Sequence, residues 1–402
     1  MNEFYYILED KAYMKILLCR WHSICETGII RALTNMGHKI YEFDQPFENT
    51  DYDKVYLQGL IEYIKPISDI NVILSVNFMP IVAKVAKVFK LTYLSWVADC
   101  PSIQLYSNSV ELPDNYIFMF DKIQAEKLRE RICDHAFHLP LAGDTYAMDQ
   151  IKITQADIEK YGCDVSFVGT LYTEKCDYNN ISHLLPKHME GYCQGLMNAQ
   201  RNVFGYYFLE DVITDEFAEE FKSYTDWSLL PDYLEDTKAL VADRFLGIKC
   251  SSDDRVATMN TVGQYFDTHL WSLSDPANVP NVSFRGGADT GVDMPRIFKC
   301  SKINLNISLR SIRSGLPQRI FDIMAAGGFV ITNFQPEILD LFIPDEEIVY
   351  YDSLPDLINK IDYYLAHDDE REQIAKNGYE KVKKLYSYEA RLKEMFEMAG
   401  IE

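Results

Sequence analysis

Short apolar runs alternate with amphipathic segments along most of the chain, and that alternation predicts a parallel α/β architecture. Lys15 to Cys19 (KILLC) reads as a buried strand, followed by a loop at Arg20 to Cys25 and a helix from about Glu26 to Met36 that Gly37 ends. Further strands are predicted at Lys39 to Phe43, Val72 to Val76, Leu91 to Val97, Tyr116 to Phe120 and Phe137 to Leu139, with a helix at about Met79 to Phe89. These form one doubly wound, Rossmann-like domain, residues 1–150. The polar stretch Asp144 to Gly162 leads to a second α/β series, which opens with Asp164 to Val168 and a turn at Gly169-Thr170. Strand signals resume at Val282 to Phe284, Ile303 to Ile307, Phe329 to Thr332 and Ile348 to Tyr351, after an aromatic-rich helical insertion at about 176–266. The second domain thus spans 151–385. A charged helix at Asp368 to Leu385 precedes a C-terminal helix, 386–402, with Ser387 as its N-cap.

Length and composition agree with two soluble domains. The chain has 402 residues, of which 48% are apolar and 25% charged. A formal net charge of −22 argues against nucleic acid as the main partner and against a polybasic membrane anchor. No run approaches the about 18 apolar residues of a membrane span, and the first residues (MNEFYYILEDKAY) lack the features of a signal peptide. The expected location is the cytoplasm. Nine cysteines without a CxxC pair read as reduced, mostly buried thiols, and eight histidines without HxxxH or HExxH spacing make zinc improbable. Asp51-Tyr52-Asp53 spells DxD, but lies in a polar loop that solvation explains. Glu210 to Asp236 holds ten carboxylates against Lys222, a solvated face or an acceptor surface.

Against this acidic background, Met294 to Phe321 carries six basic residues and no acidic one. Such a reversal of sign marks either a focused anion site or a basic helix face. The order of elements favours the first: an apolar strand, a loop with Arg310, Arg313 and Gly315, then a helix starting near Pro317. A helix N-terminus presents free N–H groups and a positive dipole end to a phosphate. Arg310 and Arg313 are candidates to clamp a diphosphate, with N–H groups of Gly315 and Leu316 pointing at it. Arg319 and Asp322 share the next helix face, so Asp322 is either a ribose ligand or half of a surface ion pair.

The run SGLPQRIFDIMAAGGFVIT resembles the donor-binding signature of GT-B glycosyltransferases (glycosyl transferases group 1). More closely it is similar to the CgeB/YkvP spore-protein branch, with an N-terminal domain of DUF3880 type. Matches at DVSFVGTLY, VSFRGGAD and NGYEKVKKLYSYEARLKEMF follow in the family's order. The resemblance implies a nucleotide-sugar donor, UDP-linked, held by the second domain; the arrangement needs no metal or other cofactor, and the sequence offers no convincing metal site. Position by position, Asp322 replaces the family's ribose-holding glutamate, and Gly315 to Pro317 match its phosphate-facing loop. Gly169 and Thr170 match the first turn of the donor domain and Gly286 a turn close to the base, while Arg285, like Arg310, Arg313 and Arg319, is a candidate to touch phosphate. Ser314 stands where many retaining members carry a first glutamate, which leaves donor sugar and stereochemistry open.

In this architecture the acceptor, a protein, glycan or small molecule, and any base come from the first domain. Asp99 directly follows a strand in Trp96-Val97-Ala98-Asp99-Cys100-Pro101, a position that fits either a general base or a turn cap. His22, in the loop after Cys19, is placed to approach phosphates or acceptor, or to make a structural hydrogen bond. Glu26 is a weaker candidate, since an acidic residue is favourable in a first helical turn for dipole reasons alone. The expected activity is glycosyl transfer to a hydroxyl. A nucleotide-sugar epimerase, or a nucleotide-sugar-binding protein without turnover, remains compatible with the same fold.

Overall fold

The computed structural model describes residues 14–228, 232–234 and 236–401. Residues 1–13, read above for a leader, lie outside the described residues, as do Leu229 to Pro231 and Glu235 of the acidic stretch.

The first sheet contains β1 (Lys15–Cys19), β2 (Lys39–Phe43), β3 (Val72–Val76), β4 (Thr92–Val97), β5 (Asn115–Met119) and β6 (Ala136–His138). Its order is β2-β1-β3-β4-β5-β6, with every pair parallel. All five residues of β3 (VILSV) are buried, because helices cover both faces of a parallel sheet and leave no face for polar alternation. Four helices flank it: α1 (Glu26–Asn35), α2 (Lys54–Ile64), α3 (Pro80–Phe89) and α4 (Lys122–Ile132). The sequence pattern did not announce α2. Its cap is Asp53, whose carboxylate accepts the N–H groups of Val55 and Tyr56, so the second half of the DxD run is an N-cap.

The second sheet contains β7 (Cys163–Val168), β8 (Thr268–Trp271), β9 (Ser283–Phe284), β10 (Ser301–Asn306), β11 (Val330–Asn333) and β12 (Val349–Tyr351). The order β12-β11-β10-β7-β8-β9 is again parallel throughout. Strand β8 was not foreseen: its four residues (THLW) include Thr and His and form no apolar run, yet all four are buried beside β7. Between β7 and β8 the chain forms the helical insertion, ending in the long helix Ile248–Tyr265. Three more helices matter for the site: α5 (Asp293–Cys300), α6 (Gln318–Ala325) and α7 (Tyr388–Met398).

Helix α7, capped by Ser387, returns from the second domain to pack against α1. The contact requires Gly28, because a Cβ there would lie 2.3 Å from the Tyr388 ring. Among the described residues no helix is long and apolar enough to cross a membrane. Eight of the cysteines are described, all as free thiols, six of them buried.

Candidate functional site

The carboxyl ends of the two sheets face each other, so the loops after their strands form the walls of an interdomain cleft. The Gly315 loop after β10 does bind an anion, but the anion is the protein's own. Asp121, 1% exposed at the end of the β5 turn, accepts on Oδ2 the backbone N–H groups of Arg313 at 2.6 Å, Ser314 at 3.0 Å and Gly315 at 3.3 Å. The Ser314 hydroxyl reaches Asp121 Oδ1 at 3.1 Å and Glu337 Oε1 at 2.7 Å. Glu337, equally buried, also accepts the Lys122 N–H and pairs with His138 Nε2, both at 2.8 Å. Gly315 is needed for this approach: an added Cβ would stand 2.6 Å from Phe120 O and 2.8 Å from Asp121 Cα. The expectation of a Gly315 N–H open to a diphosphate is corrected accordingly, since successive N–H groups favour any well-placed carboxylate.

The arginine clamp is corrected too. Arg310 is 5% exposed, its guanidinium 2.8 Å from Asp254, hydrogen-bonded to the carbonyls of Arg201 and Val203 and stacked on Phe204. It is an internal strut, spent on desolvated partners. Arg313 bonds Glu210 at 2.7 Å and Asp243 at 2.8 Å and lies over Tyr207, facing a different cavity from the cleft around Asp99. Leu316 is buried, and Pro317 occupies the N-cap position of α6 without a side-chain cap.

Asp99 lies exposed on the first-domain wall, and a neighbour the sequence reading missed holds it. Asn77, at the end of β3 with a left-handed φ of 60°, donates Nδ2 to Asp99 Oδ2 at 2.6 Å. Its Oδ1 accepts the N–H groups of Ala98 at 2.9 Å and Asp99 at 3.1 Å, so the amide fixes the turn as well as the carboxylate. Surrounding protein raises the Asp99 carboxyl above its ordinary value, while the Asn77 bond and the charge of Lys175 pull it down. Lys175, in the loop after β7, is the cation whose charge acts on Asp99. A further missed residue, Arg255, donates Nη1 to Thr170 O at 2.6 Å and Nε to Ile307 O at 3.1 Å, bracing the ends of β7 and β10. The signal for Asn77 was its place directly after the buried strand β3.

Gly169 continues the β7 ladder by donating to Trp271 O at 3.0 Å, and Thr170 Oγ1 donates to Glu174 at 2.7 Å. Glu26 is 1% exposed and ties the β1–α1 loop by accepting from Arg20 Nε and the N–H groups of Trp21 and Ser23. His22, at φ 66°, is solvent-exposed, with Nε2 3.1 Å from Asp44.

His22 also lines a second part of the cleft, a 330 Å³ pocket that Ser23, Thr290, Gly291, Met294 and Asp322 share. Asp322 accepts Gln318 Nε2 on Oδ1 at 2.8 Å and Arg319 Nη1 on Oδ2 at 3.0 Å, so the ion pair exists and one of its carboxylate edges borders the pocket. Burial raises the Asp322 carboxyl, with Arg319 and Gln318 opposing. Arg285 is exposed and donates Nη2 to His269 Nε2 at 2.8 Å, while Gly286, at φ 80°, starts the loop that reaches Thr290. Among the described residues no group of three or more His, Cys, Asp or Glu side chains is arranged to hold a metal ion.

Comparison with known proteins agrees with this architecture. Residues 254–397 match a family profile described as glycosyl transferase-like, a little over a third of the chain. No curated protein sequence matches. Among solved structures, a glycosyltransferase from Rickettsia africae is similar at TM-score 0.51 and 12% identity, over 96% of this chain and 99% of that one. Sucrose-phosphate synthase from Thermosynechococcus elongatus gives 0.53 and 13%, over 96% and 98%. Anabaena Alr3699/HepE, solved with UDP and glucose, gives 0.53 and 11%, over 96% and 100%. At such identities the likeness concerns the fold, which is GT-B: two Rossmann-like domains facing a cleft.

Proposed function

We propose that this protein is a glycosyltransferase that moves a sugar from a nucleoside-diphosphate donor, UDP-linked, to an acceptor hydroxyl on a protein or glycan. The observation that carries the reading is the Asp99 carboxylate, held by Asn77 at 2.6 Å, at the carboxyl end of one of two wholly parallel sheets. In an open α/β cleft that is where ligands bind. Asp99 takes the acceptor's proton, the acceptor oxygen bonds to the sugar's anomeric carbon, and the bond from that carbon to the diphosphate breaks. Negative charge then grows on the leaving oxygen, where the Lys175 ammonium stabilises it. In this reading protein cations rather than a resident metal balance the diphosphate. The nucleoside occupies the 330 Å³ pocket, with Asp322 accepting from ribose hydroxyls and the Gly286–Gly291 loop beside the base. The resemblance of the Gly315 block supports a kinship with the CgeB/YkvP branch, and the free thiols suit a reducing cytoplasm.

A second reading, nucleotide-sugar binding without turnover, is favoured by one observation: Asp121 already fills the N–H cradle at Ser314 and Gly315. One experiment separates the two. The protein is incubated with a panel of nucleotide sugars, with and without acceptors, and free nucleoside diphosphate is measured beside direct binding. Release that Asp99→Asn lowers by ~10²-fold supports transfer. Binding with no release under any acceptor sinks it and leaves the second reading.

A further inference from the structure

The second sheet reverses its direction of growth between β7 and β10: β8 and β9 add on one side of β7, and β10, β11 and β12 on the other. In an open parallel sheet such a reversal opens a crevice at the carboxyl ends of the two strands, and ligands bind there. One side chain spans it. Arg255, on the long helix Ile248–Tyr265, donates Nη1 to Thr170 O just past β7 at 2.6 Å. It donates Nε and Nη2 to Ile307 O just past β10 at 3.1 and 2.5 Å. Its guanidinium also lies 4.8 Å from the centre of the Tyr172 ring, and the carbonyl of Tyr172 accepts the N–H of Lys175 at 3.3 Å. The turn after β7 therefore supports two cations.

Arg310, Arg313 and Arg319 are each paired with a carboxylate, whereas among the described residues Arg255 forms no ion pair. Three of the five N–H groups of its guanidinium go to carbonyls, which leaves one on each terminal nitrogen. The side chain is partly exposed rather than sealed. Burial lowers the Arg255 group below its ordinary value; Tyr172, Asp254 and Tyr351 oppose the fall, and the charge of Arg319 on α6 adds to it. Positive groups that disfavour each other beside a ligand crevice are stabilised by an anion.

We propose that Arg255 grips the diphosphate of the donor through the N–H left on each terminal nitrogen, an assignment that rests on the nucleotide-sugar reading above. It takes the role that sequence reasoning gave to Arg310 and Arg313. A guanidinium is planar and permanently charged, and its fork matches two phosphate oxygens. Bonds to two strand ends fix that fork before the donor arrives, so little freedom is lost on binding.

Isothermal titration of the full chain with inorganic pyrophosphate, UDP and uridine tests the assignment. Wild type is expected to bind pyrophosphate, and to bind UDP more tightly than uridine. Arg255→Gln should weaken pyrophosphate and UDP about tenfold or more and leave uridine unchanged, because a charge-assisted contact to phosphate is lost and the nucleoside is held elsewhere. Should that variant fail to fold, Arg255→Lys, which keeps the charge and loses the fork, should weaken both by about threefold or more with uridine again unchanged. Equal losses for UDP and uridine would mean that Arg255 only braces the strands, and unchanged pyrophosphate affinity would mean that it does not touch phosphate; either result overturns the proposal. So does a wild-type protein that binds no pyrophosphate up to about 10 mM. The reading beneath it fails separately: pyrophosphate binding that depends on Arg255, with no nucleoside diphosphate released from any nucleotide sugar, sinks transfer and leaves this site standing.

Discussion

The carboxylate of Asp121 in the first domain accepts the backbone N–H of Ser314 in the second at 3.0 Å, and takes the neighbouring N–H groups of Arg313 and Gly315 on the same oxygen. This clasp joins the domains where sequence reasoning expected a diphosphate. Asp121→Ala leaves three N–H donors facing a void, while the Ser314 hydroxyl keeps only Glu337. It should cost about 2–4 kcal/mol in chemical denaturation, with Asp121→Asn costing less because one acceptor oxygen remains. Small-angle scattering should show a larger radius for the Ala variant. An unchanged denaturation midpoint for Asp121→Ala would reduce the clasp to incidental packing.

Gly315 tests the same interface sterically. Its missing Cβ would stand 2.6 Å from Phe120 O, and backbone oxygen cannot swing aside as a flexible side chain can. Gly315→Ala should therefore destabilise by about 1–3 kcal/mol through overpacking and separate the domains as Asp121→Ala does. A thermal scan matching wild type would mean that the loop yields without cost.

A pH profile probes the proposed base. The Asp99 carboxyl is raised by its surroundings and lowered by Asn77 and Lys175. A base works deprotonated, so transfer should decline as pH falls through the Asp99 value. Asn77→Ala removes a bond that favours the charged form, which raises that value and moves the acid limb of kcat/KM to higher pH. Lys175→Met moves it the same way and also raises the donor KM. An acid limb that stays in place in both variants would remove Asp99 from the reaction.

Much of the fold was legible because its strands are buried on both faces and read as unbroken apolar runs; β1 and β3 are examples. Strand β8 was not, since THLW owes its burial to β7 and the covering helices rather than to its own composition. At the site, Asp99 and Asp322 were singled out from their place after a strand and on a helix. The fate of Arg310 was hidden, because nothing local to SLRSIRSG shows that Asp254 lies 2.8 Å from it. The same holds for Asp121: a loop built to receive an anion is visible in sequence, but which anion fills it depends on a residue 193 positions away.

Asp322 separates a nucleotide ligand from a structural ion pair. If its carboxylate receives ribose hydroxyls, Asp322→Ala should weaken UDP binding about tenfold or more, as expected for a lost charged hydrogen bond. Stability gives an independent check with a definite sign. Burial raises the folded-state value above the ordinary 3.8, so between those two values the folded chain holds a proton that the unfolded chain has released. The Asp322 contribution is therefore most favourable below 3.8 and is lost as pH rises through the raised value. Asp322→Asn, which carries no charge to bury, should gain stability relative to wild type across that window and keep the gain above it. A gain that shrinks with rising pH would show that the Arg319 charge outweighs burial, and unchanged UDP affinity in Asp322→Ala would take the residue out of the nucleotide pocket.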